Sequence, residues 1–299
     1  VEAVIVDKDM VTLSHPINAQ MHIRRAGEDF SLGEVFAKKG ELVTPGLIAA
    51  MASAGIAHVR VVRKPIVLHF ATGSELVEQT TQALKPGQIR NSNSPFLQAA
   101  LQNLDVDVVY GGQVRDEPDT FLSLLHEKIA AQKPDIILTT GAVSAGDFDF
   151  IPRVIDELGG EIIFHKVSIK PGKPVLFARL ANGSYFFGLP GNPVSTAVGL
   201  RFFVYPLLRY LQGLGEEQFI RAVFRGHASK PKEDWRFFLK AKTVVDNSGL
   251  LTAEINGGQE SHKIKPLISS NAWLILEEGK TEFSDGDRVL CCPLIQPNA

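Results

Sequence analysis

The sequence has few thiols, no long apolar stretch and no excess of charge of one sign. Its two cysteines, Cys291 and Cys292, are adjacent, and neighbouring cysteines rarely pair, so neither a disulfide framework nor a cysteine-based zinc site is expected. The longest apolar stretches, such as residues 66–71, fall far short of the ~20 residues that a membrane helix needs. Lysine and arginine number 31 against 33 acidic residues, which argues against binding nucleic acid through charge alone.

Several common sequence motifs are also absent. The eight histidines show no HExxH spacing, and the glycine-rich segments match neither a P-loop nor a GxGxxG fingerprint. The first residues contain no apolar core of a signal peptide. We therefore expect a soluble, cytoplasmic protein that binds neither membrane nor nucleic acid. Residues 1–6 read as the middle of a strand and begin without methionine, so we expect a segment to be missing from the N-terminus.

The 299 residues predict two or three domains. Apolar and polar positions alternate over the first thirty residues, which predicts half-buried strands. The apolar positions of these strands are Val4, Val6, Met21 and Ile23. A helix over 47–54 and a strand over 58–62 complete this N-terminal β/α region.

From residue 65 onward, strands and helices alternate, which is typical of a mostly parallel sheet with helices on both faces. The predicted strands cover 66–71, 106–111, 135–140, 161–167, 175–180 and 185–187. The predicted helices cover 93–104, a segment starting near 118 with Asp116 as its cap, 152–158 and 192–210. Short strands separated by turn residues follow Gly213 and predict a small β-barrel or sandwich. The predicted domains are therefore 1–62, 63–212 and 213–299.

Parallel sheets bind ligands beyond the carboxyl ends of their strands, so the segments after the strands are candidate sites. Thr72-Gly73-Ser74-Glu75 follows the first buried strand, and its glutamate is either functional or simply solvated. Gly141 opens a loop whose backbone N–H groups can form an anion nest. In that loop Asp147 and Asp149 either hold Mg²⁺ or serve as turn residues and helix caps.

Two further segments suit an anion. Lys170 and Lys173 lie three residues apart in a proline-rich loop, which is either an anion site or a solvated basic turn. Residues 188–195 lead from a strand into a helix that starts at Asn192-Pro193. The positive dipole end and the free N–H groups of such a helix suit a phosphate-like oxygen, and a tight turn with an asparagine cap is compatible with this function.

Taken together, these segments resemble the molybdopterin molybdenumtransferase family, also called the MoeA/gephyrin E-domain family. They occur in the order and spacing of that family over nearly all of the chain. The segments that carry the resemblance are 24–29, 33–35, 71–76, 141–149, 170–174 and 188–195. The resemblance implies a doubly wound, MogA-like α/β domain, a small C-terminal β-barrel and a partial N-terminal β/α region.

The resemblance also implies a function. Such enzymes insert molybdate into adenylylated molybdopterin and release AMP, require Mg²⁺ and act as homodimers with the active site between protomers. A MogA-type adenylyltransferase is a further expected partner.

Site residues follow from the same resemblance. Catalytic roles are implied for Glu75, Asp116, Asp149 and Asp29, the first three as magnesium ligands. Substrate contacts are implied for Thr72, Gly73, Gly141, Ser144, Gly146, Lys170, Lys173, Pro190, Gly191, Asn192, Pro193, Ser195 and Arg236. Within this set, Ser144 and the neighbouring glycine backbone would hold the pterin phosphate. The molybdate pocket would be formed by Lys170, Lys173, Ser195 and Arg236.

The sequence departs from the family pattern in three places. The Met-Asp-Gly-Tyr-Ala motif and the Thr-Gly-Ala loop are absent, so this chain alone could be inactive. Ser74 stands where the family often has aspartate, and Lys263-Ile264-Lys265-Pro266 replaces a serine-rich stretch. Two alternatives remain: a non-catalytic molybdopterin-binding or scaffold protein, and a molybdopterin adenylyltransferase. The latter normally lacks the C-terminal β domain.

Overall fold

The structure is a computed structural model that describes residues 4–16, 18–21, 23–78, 80–115, 117–143 and 150–294. The chain divides into two compact units, Val1–Val61 and Val62–Ala299. The predicted boundary between the sheet and barrel domains, after residue 212, lies inside the second unit and stays a prediction. Within the described ranges, no helix is long and apolar enough to cross a membrane.

The first unit contains a strand pair and one helix. β1 (Val4–Asp7) pairs antiparallel with β2 (Met10–Leu13), and α1 covers Pro45–Ser53. The hydroxyl of Thr44 accepts a hydrogen bond from the N–H of Leu47 at 3.2 Å, which satisfies one of the unpaired donors at the start of α1. The helix was predicted within two residues at each end.

The strands predicted in this unit are partly wrong. Met21 lies in a turn and Ile23 in irregular chain, and both are exposed. β1 and β2 are largely exposed instead of half-buried, because they form a two-stranded sheet on their own. Residues 58–62 form no strand, and no ladder in the described chain includes them. Alternating polarity shows that a segment could have one buried face, but it does not show whether a partner strand is present. The prediction therefore failed where the described ladders offer no partner.

The second unit begins with an alternating series of strands and helices. The strands are β3 (Ile66–Thr72), β4 (Leu76–Val77), β5 (Ile89–Arg90), β6 (Asp107–Val114), β7 (Ile136–Thr140), β8 (Glu161–His165), β9 (Ile169–Lys170), β10 (Leu176–Arg179) and β11 (Tyr185–Leu189). The helices are α2 (Asn93–Gln102), α3 (Pro118–Gln132), α4 (Ile151–Glu157), α5 (Pro193–Gly199), a π-helical turn (Leu200–Val204) and α6 (Tyr205–Leu211).

Six of these strands form the central sheet in the order β6-β3-β7-β11-β10-β8. The first four run parallel to one another, and β10 is antiparallel to both of its neighbours. β3 and β7 are buried along almost their whole length. This explains their continuous apolar sequence, since helices cover both faces of the sheet.

Each face of the sheet has its own apolar core. On one face, Leu97 and Leu101 of α2 pack with Leu208 of α6. On the other face, Phe121 of α3 packs with Ile151 of α4. Burying each such side chain stabilises the fold by roughly 1.5–3 kcal/mol. Helices on both faces of a mostly parallel sheet confirm the predicted doubly wound architecture.

The C-terminal part is a closed five-stranded β-barrel. Its elements are β12 (Ile220–Arg225), β13 (Ala228–Ser229), β14 (Arg236–Val245), β15 (Leu251–Ile255), α7 (Lys265–Ser269), β16 (Ala272–Leu276), β17 (Glu282–Phe283) and β18 (Arg288–Pro293). The order β15-β12-β18-β16-β14 closes through pairing of β14 with β15. β9 adds to the outside of β14, so a short piece of the sheet region becomes part of the barrel's wall.

Candidate functional site

Three strands of the sheet end close together and bring three predicted site segments into contact. β3 ends at Thr72, β7 is followed by Gly141, and β11 is followed by Pro190 and Gly191. The N–H of Gly141 donates to the carbonyl oxygen of Leu189 at 2.9 Å. A Cβ placed on Gly191 would lie 3.7 Å from the Cα of Gly141. These contacts assemble a site edge from residues up to 119 positions apart in sequence.

Gly141 occupies a position that only glycine fits. Its φ is +105°, a region that side chains with Cβ rarely adopt. A Cβ there would also lie 2.7 Å from both the carbonyl oxygen and the hydroxyl of Thr72. The close approach of two backbones explains the glycine, and it leaves no room for a side chain between β3 and the loop after β7.

Glu75 lies beside the end of β3 and is exposed. A Cβ placed on Gly73 would lie 2.6 Å from the Oε2 of Glu75, so the carboxylate covers that glycine. The side-chain amide of Gln113 donates to the carbonyl oxygens of Gly73 and Leu76, each at 3.0 Å. The turn that carries Glu75 is therefore tied to β6 and positioned by it.

The start of α5 differs in part from the expectation. The N–H of Val194 donates to the carbonyl oxygen of Ser261 at 3.0 Å, so it is not available to an anion. Asn192 is at the N-cap position, but its side chain makes no capping hydrogen bond. The hydroxyl of Thr196 donates to the carbonyl oxygen of Pro190 at 2.7 Å and closes the turn before the helix. The predicted free N–H groups are thus wrong for Val194.

The lysine loop packs against this helix. A Cβ placed on Gly172 would lie 3.7 Å from the carbonyl oxygen of Ser195 and 3.5 Å from Val198. Lys170 and Lys173 are exposed, and Ser195 is buried. Helix α5 begins two residues after Gly191. One connected surface therefore includes the lysine loop, this helix and the ends of β3, β7 and β11.

Arg236 begins β14 and lies opposite Ile169 in the ladder with β9. This places its backbone next to the lysine loop, as the proposed molybdate pocket requires. Its guanidinium, however, donates two hydrogen bonds to the Oε2 of Glu278, at 3.1 and 2.8 Å. Burial, the largest single influence on Glu278, opposes its ionisation. The hydrogen bonds from Arg236 and from the backbone of Glu278, together with the positive charges of Arg236 and Lys230, outweigh it and hold the pKa of the carboxyl below its ordinary value.

The structure does not test five of the predicted site residues at this surface. Asp116, Ser144, Gly146 and Asp149 lie outside the described residues. Asp29 is exposed and belongs to the first unit. In the described ranges no group of three His, Cys, Asp or Glu side chains could hold a metal ion. Glu75 is therefore the one predicted magnesium ligand whose position is described.

Two family models match the second unit. One, described as "Probable molybdopterin binding domain", matches residues 69–210. The other, described as the MoeA C-terminal region (domain IV), matches residues 215–294.

Curated relatives and solved structures agree with these models. A molybdopterin molybdenumtransferase of Staphylococcus aureus is 34% identical over 290 residues, which are 96% of this chain and 68% of that protein. One of Bacillus subtilis is 36% identical over 284 residues, 94% of this chain and 65% of that protein. The chain belongs to the molybdopterin molybdenumtransferase family. A crystal structure of a molybdopterin biosynthesis MoeA protein from Pyrococcus horikoshii is 26% identical, with a TM-score of 0.74 over 97% of this chain and 69% of that chain.

Membership of the molybdopterin molybdenumtransferase family confirms the resemblance and gives this chain a role in molybdenum cofactor biosynthesis. The predicted sheet and C-terminal barrel are those of the family. The family's enzymes are transferases. In this family member, the candidate surface lies where the central sheet meets the barrel. The roles of individual residues on that surface stay predictions.

The prediction missed a lysine that shapes this surface in the molybdenumtransferase chain. Lys240 is fully buried, and its ammonium donates to the carbonyl oxygens of Gly258, Glu260 and Lys263 at 2.7–3.3 Å. Burial lowers its pKa from the ordinary value. The loop that it holds includes Ser261, which meets the start of α5. The available signal was a lysine directly before Ala241 in an apolar strand.

Proposed function

We propose that this protein inserts molybdate into adenylylated molybdopterin and releases AMP. The observation that carries the proposal is the lysine loop 170–174, which packs on α5 beside the converging ends of β3, β7 and β11. The described residues include no ion-pair partner for Lys170 or Lys173. Two exposed ammonium groups that lie close together in one loop suit a tetrahedral dianion.

We assign the molybdate pocket to Lys170, Lys173, Ser195 and Arg236. The lysines supply charge, and the loop is already fixed, so little chain has to be ordered when the anion binds. Arg236 can bind the anion only when its guanidinium gives up its hydrogen bonds to Glu278. In the proposed reaction two sulfur–molybdenum bonds form, one oxo group leaves as water with the two thiol protons, and a second water cleaves the phosphoanhydride to release AMP.

We assign the pterin phosphate to the sheet edge formed by Thr72, Gly73, Gly141 and the loop 190–193, together with Ser144 and Gly146. The convergence of the ends of β3, β7 and β11 at Gly141 supports this assignment, because mostly parallel sheets bind ligands beyond the carboxyl ends of their strands. Magnesium would be held by Glu75 with Asp116 and Asp149. The exposed carboxylate of Glu75 has the oxygen chemistry that the ion prefers. Bound magnesium would neutralise charge on the phosphoanhydride.

We further propose that the active protein is a homodimer, with Asp29 contributing at the site, and that a MogA-type adenylyltransferase supplies the adenylylated substrate. The chain covers 68% of the Staphylococcus aureus relative. Anion binding and the complete reaction are tested by separate measurements.

The decisive experiment follows AMP release from adenylylated molybdopterin with Mg²⁺, in the presence and absence of molybdate. We expect AMP release to require molybdate, Lys173→Ala to raise the molybdate concentration needed, and Asp149→Ala to slow release. Lys242→Ala is the matched control, because it removes an exposed lysine from β14 at the pair with Glu254 and away from the loop. AMP release that is indifferent to molybdate would contradict the proposal.

The alternatives give different results in the same experiment. A binder or scaffold retains adenylylated molybdopterin without releasing AMP at any molybdate concentration. An adenylyltransferase forms adenylylated molybdopterin from molybdopterin and ATP.

A further inference from the structure

The two lysines of the loop lie over aromatic rings that the barrel supplies. The Nζ of Lys170 is 5.2 Å from the ring centroid of Phe237, and the Nζ of Lys173 is 5.4 Å from that of Trp235. A second ammonium, that of Lys232, is 5.1 Å from the Trp235 ring. An aromatic face attracts a cation within about 6 Å, and tryptophan attracts it most strongly.

Trp235 is itself held in place. The ammonium of Lys230 donates to its carbonyl oxygen at 2.6 Å and also to the carbonyl oxygens of Glu233 and Glu277. Lys230 is only 3% exposed. The next residue, Arg236, donates its N–H to the carbonyl oxygen of Ser168, two residues before Lys170. The peptide group between Trp235 and Arg236 is thus fixed on one side to Lys230 of the barrel and on the other to the chain just before the lysine loop.

A lysine side chain has four rotatable bonds, so an exposed ammonium on a rigid loop is still mobile. For Lys173, no ion pair within the described chain restricts this motion. The indole face restrains the ammonium, and unlike a carboxylate it does not neutralise the positive charge. An arriving anion therefore meets a positioned cation that is paired with no carboxylate of the described ranges.

We propose that Trp235 is a positioning residue of the oxyanion site, which holds the ammonium of Lys173 on its indole face. The inference rests on the proposed function, because it assigns molybdate to Lys173. Trp235 acts through that lysine and does not itself bind the anion.

The test is titration calorimetry of the whole chain with sodium molybdate. Trp235→Leu should raise the Kd about two- to fivefold, the fold-change that corresponds to one exposed cation–π contact. Trp235→Phe, which keeps an aromatic face, should recover most of the affinity. In a Lys173→Met background, Trp235→Leu should have no further effect, whereas in a Lys232→Met background its effect should persist.

Two results would overturn the inference: an unchanged Kd in Trp235→Leu, or effects of Trp235→Leu and Lys173→Met that simply add. The proposed function fails separately, if Lys173→Met alone leaves the molybdate Kd unchanged. A second measurement covers a poorly folding leucine variant. The chain has only two tryptophans, so molybdate should change an indole fluorescence signal that is lost in Trp235→Phe. A signal that persists in this variant would also refute the inference.

Discussion

Asn93 donates a hydrogen bond from its side-chain amide to the carbonyl oxygen of Gly191, with 2.8 Å between Nδ2 and O. The bond joins the first turn of α2 to the loop after β11, which are 98 positions apart. The Oδ1 of the same side chain is buried and has no hydrogen-bond partner among the described residues. Within the described ranges, the side-chain amide of Asn93 therefore has the carbonyl of Gly191, at the edge of the sheet, as its hydrogen-bond partner.

Replacing Asn93 tests that contact. We expect Asn93→Ala to destabilise the fold by about 1 kcal/mol, because the carbonyl of Gly191 loses its partner. Asn93→Asp should cost more, since it places a buried negative charge against the same carbonyl oxygen. Urea unfolding measures both changes, and an aspartate variant as stable as the alanine variant would contradict this reasoning.

His69 should make stability depend on pH. Its side chain is fully buried in β3, both ring nitrogens lack partners in the described chain, and burial lowers its pKa from 6.5 to about 4. Between these values the unfolded chain binds a proton that the folded protein does not, so stability falls as pH drops from about 6.5 to about 4. The loss should approach about 3 kcal/mol.

The control for this prediction is His69→Leu, which removes the titrating group. The difference in unfolding free energy between pH 7 and pH 4.5 should be smaller in the variant than in the parent, because the carboxylates titrate in both. Equal differences would show that His69 contributes nothing to the pH dependence.

Gly141→Ala should be strongly destabilising because of its contact with Thr72. A matched control is Gly112→Ala, since both glycines have a φ of +105° but a Cβ on Gly112 would meet nothing within 4 Å. The control should lose about 1–2 kcal/mol from backbone strain alone. Gly141→Ala should lose more by about 1–3 kcal/mol, the typical cost of overpacking. Chemical denaturation of both variants gives the comparison, and equal losses would rule out the clash.

Lys240→Met should release the loop that Lys240 holds. The change leaves three carbonyl oxygens without their donor, which should cost about 2–3 kcal/mol. Because that loop also accepts the N–H of Val194 at Ser261, amide hydrogen exchange at Val194 should accelerate. Unchanged exchange at Val194 would show that the loop keeps its place without the lysine.

Glu278→Gln tests the proposed role of Arg236. The pair is about half exposed, so its loss should hardly alter stability. Removing the carboxylate should instead tighten molybdate binding at low ionic strength and lose that effect at high salt, because charges this exposed are screened. Weaker binding in the variant would indicate that Glu278 supports the site.

The parts of the fold that were predicted well have a sequence pattern that continues over the whole element. The apolar sequence of β3 predicted a doubly buried strand within one residue, since few other environments accept so many apolar side chains in succession. The strand at 58–62 failed because alternation shows a suitable face but not a partner. The two-residue β9 was not predicted for a related reason. It is a strand only because it pairs with β14, which is distant in sequence.

The site was predictable where backbone chemistry constrains the residue type, as at Gly141. It was not predictable where a common residue takes an uncommon environment. Lysines are rarely buried, so nothing in the sequence indicated that three carbonyl oxygens surround the ammonium of Lys230, and for Lys240 only the apolar residues around it hinted at burial. The partner of Arg236 was equally hidden, because ion pairs between residues 42 positions apart depend on the folded barrel.

β9 lies between two strands of the central sheet in sequence, but it pairs with β14 of the barrel, whose residues are made much later in synthesis. A nascent chain that has completed the sheet still lacks Phe237 and Trp235, against which the ammonium groups of the loop rest. Under the proposed function, full affinity for an oxyanion should therefore be reached only after the barrel has closed.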